Sequence, residues 1–176
     1  MPHRRHTGQR FGDWRSKLPL RFPYLPLSTR QPVPALGGAQ VRYRPILSVR
    51  LFGPSGSRLF DGCLDCASDD TVFPQTLAQT LGIDLTGAPK GESRPVDGVA
   101  ISYLYARIRL RISDGWEQCE WEAMVGFANL QLRWALLGHA GFLDHFDTAL
   151  FGVRREAILT PNSSFSGQHL ILRQAP

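Results

Sequence analysis

The clearest pattern of hydrophobic and polar positions lies between residues 103 and 112. From position 107 to position 112, arginine alternates with isoleucine or leucine, and a two-residue period is typical of a β-strand with one charged face and one apolar face. Asp114-Gly115 then predicts a turn into a second long strand over residues 116–125. We interpret the arginine row as a solvated face paired with glutamates of the second strand, in preference to a nucleic-acid surface. The candidate partners are Glu117, Glu120 and Glu122.

Shorter apolar segments predict further strands and one or two short helices. Residues 45–52 and 57–65 flank a Gly-Pro-Ser-Gly turn signal, which predicts a hairpin. Residues 74–81 predict a helix, because Pro74 suits the first helical turn and Gly82 suits its end. Residues 134–137 and 151–159 predict two short strands, and residues 140–146 a second short helix. Asp97-Gly98 predicts the tip of another hairpin. The pattern is therefore that of an all-β domain.

The two ends of the chain differ from this strand-rich centre. Residues 1–40 mix Arg, His, Pro and Gly without periodicity, and we interpret them as a flexible basic leader. Residues 161–176 read as a loose C-terminal tail whose last apolar cluster is a candidate for docking. The predicted organisation is a leader over 1–40, one domain over 41–160 and a tail over 161–176.

Composition narrows the class of protein further. Of the 176 residues, 43% are hydrophobic, which is enough for a core, and no run of apolar residues is long enough to cross a membrane. The apolar stretch over residues 18–27 is interrupted by three prolines and an arginine, which makes it a poor signal peptide. We therefore expect no membrane partner and a cytoplasmic location.

Charge is concentrated at the N-terminus. Residues 1–50 hold ten Lys or Arg and one acidic residue, a balance of +9, whereas the net charge of the whole chain is +5, so residues 51–176 sum to −4. Such an arm suits nucleic acid, acidic lipid or an acidic protein. A solvated leader is the favoured interpretation, and nucleic-acid binding is kept as the alternative.

The cysteines do not indicate a disulfide framework. There are three, Cys63, Cys66 and Cys119, and an odd, small number is not typical of a disulfide-stapled domain. Cys63 and Cys66 have C-x-x-C spacing, but neither a second pair nor a nearby histidine completes a zinc site. Metal and redox chemistry are therefore disfavoured.

Two segments, taken together, carry the candidate chemistry. The first contains Leu64-Asp65-Cys66-Ala67 followed by Ser-Asp-Asp-Thr-Val over residues 68–72. The second, about 70 residues later, reads Leu136-Leu137-Gly138. This order resembles the retropepsins, the small aspartic proteases of retroviruses, and their bacterial relatives. In that family an Asp-Thr/Ser-Gly loop is followed by a flap hairpin and then by an apolar-apolar-Gly strand.

The resemblance implies a retropepsin-like closed barrel and an aspartic endopeptidase. One chain supplies one motif, so the implied enzyme is a homodimer in which two aspartates share a proton and activate water against a polypeptide substrate. No metal or organic cofactor is implied. Asp65 is the implied catalytic residue. The implied substrate-binding residues are Ala67, Asp69, Asp70, Gly98, Val99 and Ala100, the last three at the flap tip.

Two positions depart from the family motif. Cys66 replaces a hydroxyl residue that braces the dimer, and a thiol is a weaker donor. Ala67 replaces glycine, and its Cβ would cost on the order of 1–2 kcal/mol if the backbone there had positive φ. A catalytically inactive, peptide-binding dimer therefore remains an alternative. A second near match to the motif, Asp147-Thr148-Ala149, is interpreted as a turn into the last strand.

Overall fold

The computed structural model of the chain describes residues 18–93 and 100–172. Within these residues there are thirteen strands, one α-helix and two single-turn 3₁₀ helices. In chain order they are β1 (Leu20–Pro23), β2 (Leu25–Val33), β3 (Ala39–Arg44), β4 (Ile46–Gly53), β5 (Gly56–Leu64), β6 (Val72–Pro74), α1 (Gln75–Leu81), β7 (Lys90–Ser93), β8 (Ile101–Ser113), β9 (Glu117–Ala128), β10 (Ala135–Leu137), β11 (Phe146–Phe151), β12 (Glu156–Pro161) and β13 (Gln168–Ile171), with 3₁₀ turns at Pro34–Leu36 and Leu143–His145.

Six strands close into a barrel. Going round the ring, β4 pairs with β5, β5 with β10, β10 with β6, β6 with β9, β9 with β8, and β8 with β4. The pairs β5–β10 and β6–β9 are parallel, so the ends of these strands meet on the same side of the sheet. The edge strands β7 and β13 extend the sheet beside β8 and β9. The all-β, closed-barrel fold predicted from the sequence is confirmed.

The core fills the barrel with the apolar face of each long strand. Along β4, Leu47, Val49 and Leu51 are buried, as the two-residue period of a strand requires. Helix α1 is confirmed where residues 74–81 predict it, and it ends at Gly82, whose φ of 67° is the left-handed conformation that glycine adopts without strain. The predicted helix over residues 140–146 is shorter than expected, a single 3₁₀ turn.

The long strands β8 and β9 follow the sequence pattern. Arg109 and Arg111 both contact Glu120 across the ladder, with N···O distances of 3.5 and 2.5 Å. The predicted cross-strand pairing is therefore confirmed for Glu120. Glu117 is instead buried beside His169 on β13, with its Oε2 2.7 Å from Nε2 of the histidine. That contact joins the C-terminal strand to the barrel.

Several other segments differ from their predictions. The strand predicted over residues 151–159 is divided by a turn into the end of β11 and the start of β12, and the tail predicted to be loose contains β13, which pairs with β9. The predicted flexible leader contains β1, β2 and the first two residues of β3. Leu20 and Phe22 are buried where β1 pairs with β12, and β2 pairs with β3. Residues 147–149, predicted to form a turn, lie within β11, which pairs with β12 in a separate three-stranded sheet. The domain boundaries themselves stay a prediction. Within the described ranges no helix is long and apolar enough to cross a membrane.

Candidate active site

Asp65 stands directly after β5, at the point where β5 runs parallel to β10. Leu64 and Leu137 are register partners in this pair, and the Asp65 amide continues the ladder by donating to the Leu137 carbonyl at 3.1 Å. Residues 65–71, which we name the Asp65 loop, then lead into β6. The end of one parallel strand is therefore fixed directly beside the end of the other.

The Asp65 loop is bound along its length by residues 138–140. The amides of His139 and Ala140 donate to the carbonyls of Ser68 and Asp69, at 3.0 and 2.8 Å. In return the Thr71 amide donates to the Ala140 carbonyl at 3.0 Å. These backbone bonds bring together the two segments that the sequence pairs, and they fix the loop without relying on its side chains.

Gly138 is what allows this close approach. A Cβ at position 138 would lie 2.3 Å from the Asp70 carbonyl oxygen and 2.6 Å from that of Ser68. Both obstacles are backbone atoms, which cannot swing aside as a side chain can. A glycine is therefore required here for a packing reason, and its signal in the sequence was the Leu-Leu-Gly signature.

The Asp65 side chain is half-buried, and its neighbours Cys66 and Ala67 are exposed. One carboxylate oxygen, Oδ1, accepts a hydrogen bond from the Ala67 amide at 3.1 Å. Among the described residues only Arg155 has positive φ without being glycine. Ala67 therefore escapes the backbone penalty that a left-handed conformation would impose, and its side chain is tolerated within one chain.

The side chain of His139 also contacts the Asp65 loop. Its Nε2 lies 3.1 Å from the carbonyl oxygen of Cys66, and its Nδ1 lies 3.6 Å from Oδ1 of Asp144. The imidazole thus steadies the exposed tip of the loop beside Cys66.

Asp70 is held by side chains that the sequence analysis did not single out. Its Oδ2 accepts a hydrogen bond from the Tyr103 hydroxyl at 2.5 Å, and its Oδ1 accepts one from the Tyr105 hydroxyl at 2.9 Å. Burial raises the pKa of both tyrosines, and the hydrogen bond to Asp70 raises it further. The sequence signal that could have found Tyr103 and Tyr105 is their spacing on β8, since they continue the two-residue period of the arginine row.

The hairpin of β7 and β8 rises beside the loop. Gly91 pairs with Tyr103 and Ser93 with Ile101, so the predicted hairpin is present at its base. Ala100 is exposed and directly precedes β8. The predicted tip residues Gly98 and Val99, with the Asp97-Gly98 turn, lie outside the described residues.

An apolar cavity opens on the other side of the loop. Its volume is about 250 Å³, and its walls include Leu64, Cys66, Phe146 and Leu150. Thr148 also lines it, so the near-motif on β11 faces the flank of the Asp65 loop.

The cysteines remain separate thiols. Cys66 is exposed, Cys63 is half-buried and Cys119 is buried. Burial raises the pKa of the Cys63 thiol, which lowers its reactivity. Within the part of the chain that the structure describes, no three His, Cys, Asp or Glu side chains group in a way that could hold a metal ion.

Comparison with known proteins gives a structural similarity only. No protein-family model matches the chain, and no curated protein matches it in sequence. Among solved structures it is similar to the crystal structure of a retropepsin-like aspartic protease from Rickettsia conorii, at 16% sequence identity and a TM-score of 0.48. The match covers 83% of this chain and 94% of that chain. The function proposed below rests on the chain's own residues.

Proposed function

We propose that the chain is an aspartic endopeptidase that acts as a homodimer, with Asp65 of each subunit as its catalytic residue. The observation that carries the proposal is the placement of Asp65: a half-buried residue at the start of a loop that backbone hydrogen bonds hold against residues 137–140. Such fixation suits catalysis, because a displacement of ~1 Å at a reacting group can cost about a hundredfold in rate.

The chemistry requires a second carboxylate. Peptide hydrolysis needs a base to activate water and an acid to protonate the leaving nitrogen, and two aspartates that share one proton perform both tasks. Two close carboxylates do not both ionise readily, so the pair retains a proton and titrates as one unit. A catalytic pair built on Asp65 therefore needs another aspartate facing it.

A second copy of the chain is the proposed source of that aspartate. Asp65 follows a strand of the closed barrel, whereas Asp147 lies exposed in β11 of the separate three-stranded sheet. A two-fold axis beside the exposed residues Cys66 and Ala67 would place Asp65 opposite Asp65 of the second copy. The two copies would then form one site.

The substrate is proposed to be an extended polypeptide lying between the Asp65 loop and the β7–β8 hairpin. An extended peptide can add as a strand and bind through main-chain hydrogen bonds. Ala67, Asp69 and Asp70 supply the floor in this proposal, and residues 98–100 supply the cover. No step of the reaction calls for a metal or an organic cofactor.

Digestion of a peptide library at several pH values between about 3 and 8 tests the proposal. Wild-type protein is expected to cleave, and Asp65→Asn to lose all cleavage while its circular dichroism spectrum is unchanged. Asp147→Asn is the matched control, since it alters the other aspartate that resembles the motif, and it is expected to retain activity. Cleavage by Asp65→Asn at the wild-type rate would exclude Asp65 as the catalyst.

An inactive peptide-binding dimer is the second candidate, and Cys66 and Ala67 favour it. Their side chains are exposed at the loop tip, where the second subunit would contact them in the proposed dimer. Under this alternative the wild type and Asp65→Asn bind the same peptides, and neither cleaves them. The digest therefore separates the two candidates.

A further inference from the structure

The carboxylate of Asp70 joins two parts of the molecule that are far apart in sequence. Asp70 belongs to the Asp65 loop, whereas Tyr103 and Tyr105 belong to β8, at the base of the β7–β8 hairpin. Hydrogen bonds to a charged acceptor are stronger than neutral ones. Each carboxylate oxygen receives one hydroxyl, so both hairpin tyrosines are tied to one acid.

The ring of Tyr103 is held in a space left by two glycines. A Cβ at Gly91, on β7, would lie 2.3 Å from the Tyr103 ring, and a Cβ at Gly126, on β9, would lie 2.5 Å from it. The Tyr105 ring also packs over Gly91 and meets the Tyr103 ring edge-on, with centroids 5.3 Å apart. Tyr103 is 3% exposed, so its hydroxyl has little freedom to leave Asp70.

The backbone around the tyrosines connects to the same loop. Tyr103 pairs with Gly91 on one side and with Ala128 on the other, which places it at the junction of three strands. The Gly126 amide donates to the Thr71 carbonyl at 2.9 Å. The hairpin base, β9 and the Asp65 loop therefore meet where the two hydroxyls reach Asp70.

We propose that Tyr103 and Tyr105 are positioning residues that hold the base of the β7–β8 hairpin closed against the Asp65 loop through Asp70. This inference rests on the proposed function, for which the hairpin covers the bound peptide. An ionised carboxylate has about four acceptor positions, and the two hydroxyls occupy two of them. Asp70 therefore retains capacity for a substrate amide, and a bound peptide would be linked to the hairpin through the same carboxylate.

Removal of the two hydroxyls alone tests whether their hydrogen bonds to Asp70 hold the hairpin base. Tyr103→Phe/Tyr105→Phe keeps both rings in their glycine-lined space and deletes the hydroxyl bonds to Asp70 together with the bond between the two hydroxyls. In the absence of peptide, hydrogen–deuterium exchange of residues 90–93 and 101–104 is expected to rise about tenfold, because opening of the hairpin base becomes easier. Exchange at residues 50–57, around the turn of the β4–β5 hairpin, is expected to stay unchanged.

The kinetic expectation separates positioning from a general loss of structure. With a cleavable peptide, KM of the double variant is expected to rise about tenfold while kcat stays within about twofold. Part of the peptide's binding free energy is then spent on ordering the hairpin base. Tyr43→Phe is the matched control, since Tyr43 is 37% exposed and stacks on Arg155. It is expected to change neither KM nor exchange.

Asp70→Asn completes a double-mutant cycle. If the tyrosines act through Asp70, the effect of Tyr103→Phe on exchange is expected to be smaller in Asp70→Asn than in the wild type. Should the double tyrosine variant fail to fold, Tyr105→Phe alone, at a half-buried position, is expected to raise exchange of the hairpin base about threefold. If the tyrosine variants exchange at residues 90–93 and 101–104 at the same rate as Tyr43→Phe, the proposed positioning role is wrong.

The outcomes also separate this inference from the proposed function. If the tyrosine variants exchange faster but the wild type cleaves no peptide, the positioning role of the tyrosines stands and the proposed protease activity is wrong. If cleavage depends on Asp65 but the tyrosine variants change neither exchange nor KM, the proposed protease activity stands and the positioning role of the tyrosines is wrong.

Discussion

Gly138 shows at the scale of a single residue how the site depends on close backbone packing. The residue carries no functional group, yet the carbonyl oxygens of Ser68 and Asp70 occupy the space that a side chain would need. The Asp65 loop and residues 138–140 can exchange hydrogen bonds only while that space is free. The position of Asp65 therefore depends on a residue that takes no part in chemistry.

Gly138→Ala is expected to destabilise the fold by about 1–3 kcal/mol, because the added methyl group pushes on backbone that cannot rotate away. Peptide cleavage is expected to fall more than a hundredfold, through displacement of Asp65. Chemical denaturation and a cleavage assay measure the two effects. Gly152→Ala is the matched control, since nothing lies within 4 Å of a Cβ there, and it is expected to be neutral. Wild-type activity in Gly138→Ala would contradict the role given to the glycine.

Cys66 and Ala67 also affect the site through single side chains. Their departure from the family motif was readable in the sequence, but its consequence was not, because it depended on backbone geometry. The structure shows that position 67 does not have positive φ, so the alanine carries no strain of that kind. What remains is the weaker hydrogen bonding of a thiol across the proposed dimer axis.

Restoration of the family motif by Cys66→Thr/Ala67→Gly is expected to tighten the dimer. Two hydroxyl bonds, each worth about 0.5–1.5 kcal/mol, would replace thiol contacts, so the dimer dissociation constant is expected to fall about tenfold or more. Sedimentation velocity over a range of concentrations measures it. Cys63→Ser, a change outside the loop, serves as control. An unchanged dissociation constant would show that residue 66 does not face the second copy.

At the scale of elements, the predictable strands are those with a periodic face. The strands β4, β5, β8, β9 and β10 all have apolar positions that signal burial or pairing, and the sequence predicts each of them. β11 has a weaker signal, because Phe146 is its one buried residue. Among the described strands β11 is an edge strand that pairs with β12. β1 does alternate, but its terminal Pro23 and the nearby prolines favour a loop by sequence, and an edge strand tolerates them.

The C-terminal strand illustrates a contact that sequence could not predict. His169 on β13 and Glu117 on β9 are separated by about fifty residues, and no sequence motif links the two positions. The structure brings their side chains to 2.7 Å, with exposures of only 12% and 6%. A close, buried contact of this kind specifies where β13 docks.

His169→Leu is expected to destabilise the fold by about 3 kcal/mol, because it leaves the Glu117 carboxylate buried without its partner. The double variant His169→Leu/Glu117→Leu is expected to recover most of that loss, since two apolar side chains can occupy the same space. Urea denaturation measures both, and Leu170→Ala, at an exposed position of the same strand, is the control. A double variant less stable than His169→Leu alone would contradict this account of the pair.

At the scale of the whole molecule, one chain is proposed to supply half of an active site. The barrel supplies one Asp65 at the start of the Asp65 loop, with the exposed residues Cys66 and Ala67 next to it and an apolar cavity on its flank. The sequence could predict the loop and its partner segment, since both have short signatures. It could not predict the tyrosine tie to Asp70, because that tie depends on side chains meeting across strands.

Subunit mixing tests the central claim that each copy contributes one Asp65. Wild-type protein and Asp65→Asn, matched for dimerisation by sedimentation, are mixed in equal amounts at constant total concentration and left to exchange. If both aspartates of a dimer are required, activity is expected to fall to about one quarter of the wild-type value, the statistical share of wild-type homodimers. Activity of about one half would mean that each chain works alone, and would contradict a site shared across a two-fold axis.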